Sequence, residues 1–453
     1  MNKKTIAGVF AALFLLLSLL PAAGTLLSGE SVAAANETLS QPPKLLSSSG
    51  KVNLSVLMDT TDYIADHFYL RNELVNAWAE LNAALFHTSS EEQVLLGSDG
   101  WLYYASTLDD YMGRGLNDTE LKRAASNLSL IQEYVEICGA KFLFTIAPNK
   151  NSIYPAQMPS FVPSAHETAN AERIQPYFTS MGIHYQDLFS VLRDRGEVLY
   201  YKTDSHWTDR GAALAADSIL DAFGKRVDYY DIVFSVKTEH RGDLYEMLFP
   251  TGKGTENASA YADFVYTVEG NPNGGNAMRI ETANEGAEGT ILCWRDSFGI
   301  SLYPYLADSF GQALFLRSSS YDLTEIDVLQ ADHVLIELVE RNLDWLIRNV
   351  PVMAAPQREI DLKNAVVSDQ TVFAAGKNDS KHNLVYVSGE LPFPYDGGAV
   401  YLSSGKASYE AFLTESSGKW FFHAYLAPEQ SNELELLCVE TDSAMMCFPL
   451  QMK

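Results

Sequence analysis

The chain has 453 residues, with 58 acidic against 32 basic side chains and a formal charge of -26 at neutral pH. Such a surface repels nucleic acid and anionic lipid, which argues against a nucleic-acid partner and suits an exported, soluble protein. Four cysteines are too few for a disulfide-framed scaffold, and the length is ample for two cored domains.

Residues 1–35 read as a signal peptide or N-terminal membrane anchor. Lys3 and Lys4 supply the positive start, and residues 6–20 are almost wholly apolar. Pro21 ends that run, and small residues follow at Ala22, Ala23 and Gly24 and again at 33–35. No later stretch is apolar enough to cross a bilayer, so membrane association would rest on this segment alone. The expected location is therefore extracellular or cell-surface. Residues 36–53, rich in Ser, Pro and Leu, read as a flexible tether.

Between residues 54 and 86 apolar side chains recur at helical spacing (Ile64, Phe68, Leu74, Trp78, Leu81), predicting one or two amphipathic helices. GSDGWLYY, from Gly97, is a turn leading into an aromatic strand. Residues 121–137 have helical periodicity, and strands are expected at 142–147, 183–185 and 198–201. Residues 208–223 form the clearest helix, with Thr208 as N-cap and Gly224 beyond its end. Further strands fall at 291–294, 313–316 and 334–339. Apolar strands separated by helices predict a mostly parallel sheet covered on both faces, an α/β fold over residues 54–355. Residues 227–288 break the rhythm and read as an insertion near the site. Residues 356–453 carry short alternating runs between turn residues, which predicts a small all-β, sandwich-like module. Cys438 and Cys447 are close enough to bridge a hairpin there in an oxidising compartment. Cys138 and Cys293 sit in apolar surroundings and read as buried thiols.

Three polar clusters follow expected strands: Pro148-Asn149-Lys150, TDSHWT from Thr203, and RDSFG from Arg295. Ligands in open α/β sheets bind outside the carboxyl ends of the strands, so the clusters are placed to share one cleft. A serine hydroxyl becomes a nucleophile when a histidine takes its proton and a carboxylate steadies the imidazolium. Ser297, His206 and Asp204 can play those parts. Asp204 and His206 are two apart, so an extended backbone would put both on one face. Arg295 or Asn149 could donate to an oxyanion, Lys150 could be a substrate contact or only a solvated charge, and Trp207 a sugar platform or packing. Ser297 alone could equally be a helix N-cap. A metal reading of Asp204, His206 and Asp209 lacks a further ligand at helpful spacing, so no metal and no cofactor are expected. Asp187 and Glu340, which also end strands, read as structural.

Seven short segments, in order, carry a resemblance: DYIADHFYLR from Asp62, GSDGWLYY from Gly97, APNKNSIYP from Ala147, TDSHWTDRGA from Thr203, RGDLYEML from Arg241, WRDSFGISLYPYLADSF from Trp294 and IELVERN from Ile336. Together they make the chain resemble SGNH hydrolase-like proteins of the alginate O-acetyltransferase type (AlgX and AlgJ), most closely the Gram-positive DHHW proteins. The resemblance implies a three-layer α/β/α domain with Ser297 as nucleophile, His206 as base and Asp204 as its partner. It also implies acetyl transfer to, or ester removal from, an envelope or secreted polysaccharide, with a membrane-bound partner passing the acyl group. The Gly-Asp-Ser block that opens ordinary SGNH esterases is absent, and the serine follows the Asp-x-His. The resemblance does not reach the C-terminal module.

Overall fold

A computed structural model describes residues 3–28, 33, 39–46, 50–165, 169–193, 195–232, 236–270, 274–441 and 444–453. Ala34, Ala35 and parts of the expected tether (36–38 and 47–49) lie outside the described residues. Residues Lys3–Ser28 form one helix. Among the described residues no helix is long and apolar enough to cross a membrane. The periodic stretch that follows resolves into two helices, Val56–His67 and Arg71–Phe86.

The central sheet has seven strands. In order across the sheet they are Tyr185–Gln186, Lys141–Ala147, His333–Val339, Thr290–Trp294, Gln312–Leu316, Arg279–Ala283 and Thr267–Glu269. The first five pair in parallel. The last two add antiparallel, so the sheet is mixed. Alternation along each strand sends side chains to two separate cores. Phe142, Phe144 and Ile146 join Leu128 and Ile131 of the helix Asp118–Ile137. Leu143 and Ala147 join Ala212 to Ile219 of the helix Asp209–Ala222 and Leu302 to Phe310 beyond the Ser297 turn. Burying each large apolar side chain in these cores contributes roughly 1.5–3 kcal/mol. Their net effect is a rigid sheet between helical layers.

The helix caps follow the local chemistry. Asn117 accepts from the Glu120 N–H while Glu120 reaches back, a reciprocal cap. Thr208 accepts from the Gly211 N–H at 3.2 Å and opens the helix Asp209–Ala222. Gly224, at φ +81, takes the left-handed position past its end.

Two expectations change. Residues 198–201 form no strand, because the chain reverses between Leu199 and Thr208 and only Tyr200 and Trp207 bridge. Residues 227–288 are not all insertion: Arg279–Ala283 and Thr267–Glu269 extend the main sheet, and the ribbon Val236–His240 with Glu256–Ala260 packs beside the site. The C-terminal strands form one hydrogen-bonded path, and side chains from both of its ends share one buried core. The strand Met445–Met452 links the path, pairing first with Leu436–Glu440 and then with Val372–Asp379. Cys438 and Cys447 face each other on that ladder and are disulfide-bonded. This sheet meets the α/β layers through buried and part-buried polar contacts. Asn127 donates to the Leu346 and Leu413 carbonyls at 2.8 and 2.7 Å, and Arg358 pairs with Glu133 at 2.6 Å.

Candidate active site

The loop 199–208 builds half of the site. The Thr208 N–H donates to the Leu199 carbonyl at 2.7 Å and the Tyr201 N–H to the His206 carbonyl at 3.2 Å. Inside this reversal Asp204 folds back on its own chain. Its Oδ1 accepts the His206 N–H at 2.9 Å and lies 2.7 Å from His206 Nδ1. Asp and His therefore meet through a side-chain-to-backbone turn, not through an extended strand.

Several groups hold that loop from outside. Lys150, 4% exposed, donates its ammonium to the carbonyls of Tyr201, Lys202 and Asp204 at 3.1, 3.0 and 2.5 Å. It also lies over the Trp101 and Tyr103 rings. The Glu256 carboxylate accepts the Lys202 and Thr203 N–H groups, each at 2.9 Å. Gly242 packs so close that a Cβ there would sit 2.1 Å from the Thr203 carbonyl oxygen, so only glycine fits.

The second half is the turn after the strand Thr290–Trp294. The Asp296 carboxylate accepts the Phe298 N–H at 2.9 Å and the Val339 N–H at 2.7 Å, fastening the turn to the neighbouring strand end. The helix Gly299–Ser309 then starts with Phe298 in the capping position and no side-chain cap. Ser297 is thus not spent on capping. Its Oγ lies 2.8 Å from His206 Nε2. The Trp207 indole N–H donates to the Phe298 carbonyl at 3.2 Å, and the Phe298 ring packs on both His206 and Trp207. The two turns are locked to each other, and a continuous chain runs Ser297–His206–Asp204.

The chain opens on a cleft of about 450 Å³ whose walls include Tyr104, Asp243, Met247, Asn276, Arg317 and Arg341. Asp204 is 5% exposed. Burial alone would raise its pKa, but hydrogen bonds from His206 and His240 hold it well below the ordinary carboxylate range. Asp243, half-buried and facing the Asp204 charge, is pushed up instead, by desolvation first. Asp204, His206 and Asp243 bring three potential ligand atoms within 4.8 Å of one another. The two carboxylates face His206 Nδ1, so a metal there would replace the Asp204–His206 hydrogen bond, while Nε2 stays engaged with Ser297.

The four other candidates are used elsewhere, and none is among the residues lining the cleft. Arg295 is buried and donates to the carbonyls of Gly275, Ala277 and Asp296, so it is not free for an oxyanion. Asn149 gives its N–H to Glu340 at 2.8 Å, and its Oδ1 accepts from the Arg341 guanidinium. Lys150 holds the loop from behind rather than touching substrate. Trp207 is fully buried and offers no platform for a sugar.

Sequence reasoning did not single out His240, Asp243, Asp296, Arg317 or Arg341. His240 and Asp243 flank the Arg-Gly pair at 241–242, and that charged knot inside an otherwise irregular stretch was the available signal. Asp296 sits inside RDSFG, directly before the serine.

A two-faced α/β layer that presents a hydrogen-bonded serine, histidine and carboxylate beside its strand ends defines a hydrolase-like class of domain. Residues 94–278 match the model for "SGNH hydrolase-like domain, acetyltransferase AlgX", a span that includes Asp204 and His206 and ends before Ser297. Over this span the chain is similar to SGNH hydrolase-like proteins of the AlgX/AlgJ type. A probable alginate O-acetylase AlgJ of Pseudomonas syringae pv. tomato is 29% identical over 167 residues, 36% of this chain and 41% of that protein. The corresponding protein of Azotobacter vinelandii is 26% identical over 48% of this chain and 53% of its own length. The chain thus spans about half the length of these curated relatives. Among solved structures, Bacillus cereus PatB1 aligns with TM-score 0.43 and 17% identity, over 55% of this chain and 97% of its own. A DHHW family protein from Eubacterium siraeum aligns with TM-score 0.38 and 17% identity, over 51% of this chain and 90% of its own.

Proposed function

We propose that the protein is a serine-dependent O-acyltransferase that acetylates a polysaccharide of the cell envelope or a secreted polysaccharide. Ser297 is the nucleophile, His206 the general base and acid, and Asp204 the carboxylate that orients it. In the first half-reaction Ser297 Oγ attacks the donor's acyl carbonyl while His206 Nε2 takes the hydroxyl proton. The donor's leaving group departs with that proton, and the acyl group stays on Ser297 as an ester. A sugar hydroxyl then attacks the ester, gives its proton to His206, and leaves acetylated as Ser297 regains its own. The Ser297 N–H, at the head of a helix, would steady the oxyanion in both steps. Export and delivery of the acyl group by a membrane-bound partner belong to the same proposal. The apolar character of residues 6–20 supports the former.

The observation that carries this reading is the unbroken chain at 2.7 and 2.8 Å from Asp204 to Ser297, opening on a cleft. The names of the curated relatives, probable alginate O-acetylases, support acetyl chemistry. The test is intact-mass spectrometry of the protein after exposure to p-nitrophenyl acetate, wild type beside Ser297→Ala. Wild type should gain one acetyl group that the variant does not, and turnover in the variant should fall by about 10³-fold or more. Equal acetylation in both proteins removes Ser297 from the role. Added oligosaccharides then report whether sugar or water is the preferred acceptor, and preference for water would make the protein an esterase.

A further inference from the structure

The Asp204 carboxylate is shared. Its Oδ1 faces His206, while Oδ2 accepts from His240 Nε2 at 2.9 Å and from the Asp243 N–H at 3.0 Å. His240 ends the strand Val236–His240, and its ring stacks on Tyr201 with centroids 3.9 Å apart and planes 21° from parallel. This ring is held on three sides: by Tyr201 from the loop, by the ribbon, and by the carboxylate.

We infer that His240 is a positioning residue that fixes the plane of the Asp204 carboxylate and, through it, sets how readily His206 takes a proton. The inference rests on the proposed role of His206. An imidazole on Oδ2 draws negative charge away from Oδ1, and an imidazolium draws more. Less charge on Oδ1 means less stabilisation of a proton on His206. His240 therefore tunes the base downward without touching substrate, and it does so more strongly once protonated.

The groups facing His240 decide when that happens. From the loop comes Asp204, and from the start of the following helix Asp209. Asp243 follows it by three residues, and Glu256 is its cross-strand neighbour. The charges that act on it most, those of Asp204, Glu256 and Asp243, are carboxylates. Burial alone would lower the His240 pKa, but the Asp204 hydrogen bond and the surrounding negative charge raise it above the ordinary histidine value. As pH falls, His240 is thus charged early, and protonation of His206 is then opposed by a cation two hydrogen bonds away.

The test compares wild type, His240→Gln and His240→Phe. Gln keeps an N–H that reaches Oδ2 but cannot carry the charge, whereas Phe keeps only the stacking. The first readout is the NMR titration of the His206 ring, which reports the coupling whether or not Ser297 is a nucleophile. In both variants the His206 titration should move up by about half a pH unit or more. The second readout is the acid limb of kcat/KM with p-nitrophenyl acetate, which should move up in step. At its plateau the Gln variant should keep kcat within about threefold of wild type, and the Phe variant should lose about tenfold, since only the Gln variant holds the carboxylate plane. A His206 titration unchanged in His240→Gln overturns the inference. If the titration moves while Ser297→Ala still turns over normally, it is the acyl-enzyme reading that fails.

Discussion

Asp204 and Glu340 are buried beside the same end of the sheet and titrate in opposite directions. Asp204, 5% exposed, is held ionised; Glu340, 1% exposed, is pushed up to about 8. Burial drives the Glu340 shift, and the neighbouring Asp110 charge adds to it. Hydrogen bonding alone does not separate the two carboxyls. Glu340 Oε2 accepts the Asn149 N–H at 2.8 Å and the Ser152 hydroxyl at 2.7 Å, while Asp204 accepts two backbone N–H groups of its own. The difference lies in the remaining partners. Asp204 faces two imidazoles, and Glu340 faces Asp110 and Glu172. The sign of a buried carboxyl's shift here follows the charge that can be induced next to it, and depth in the protein sets only the cost that must be overcome.

The largest break of this contrast is Asp204→Asn. The amide keeps the size but cannot stay negative, and it can present an N–H to His206 Nδ1, favouring the tautomer that leaves Nε2 protonated and unable to accept the Ser297 proton. Turnover of p-nitrophenyl acetate should fall by about 10³- to 10⁴-fold. A fall of less than tenfold would take Asp204 out of the reaction.

Much of this arrangement was legible beforehand. The helix Asp209–Ala222 declared itself through Thr208 and Gly224, and the buried strands through short apolar runs between turn residues. Ser297, His206 and Asp204 could be named because each lies beside a turn after an apolar segment, and the resemblance supplied their roles. What could not be read was how the polar side chains are spent. Lys150 and Arg295 look like free cations in a string of letters. In the structure each is consumed by three backbone carbonyls, contacts set by tertiary packing with no sequence spacing. The reversal at 199–208 was hidden for a related reason. Val198, Leu199 and the two tyrosines have strand-like composition, and only the Asp204 turn inside the loop bends them back. His240 lies in a stretch whose Gly, Asn and aromatic residues obscure the ribbon.

Glu340→Gln sharpens the other side of the contrast. A carboxyl with a folded pKa near 8 and an unfolded one near 4.5 is protonated in the fold while the unfolded chain ionises. Its stabilising contribution is fully present below about 4.5 and is lost as pH rises through about 8. The amide accepts the same two hydrogen bonds and does not titrate. The melting temperature of wild type should therefore decline between pH 5 and 9 more steeply than that of Glu340→Gln, with the variant the more stable at pH 9. Parallel curves would mean that Glu340 is ionised in the fold.

The smallest effect is expected from Asp110→Asn. Asp110 hydrogen-bonds to Glu340 and is itself raised to about 6, by burial first, with the Glu172 charge also raising it. Its Oδ1 accepts the Asn170 N–H at 2.7 Å, a bond the amide oxygen can keep. Replacing it removes the one nearby charge that most opposes ionisation of Glu340 and leaves the burial in place. The decline in melting temperature should persist, with its midpoint moved to lower pH than in wild type, and Glu340→Gln should flatten it in this background too. If the midpoint stays where it was, burial alone holds Glu340 protonated. The contrast with Asp204 would then rest on the two imidazoles and owe nothing to Asp110.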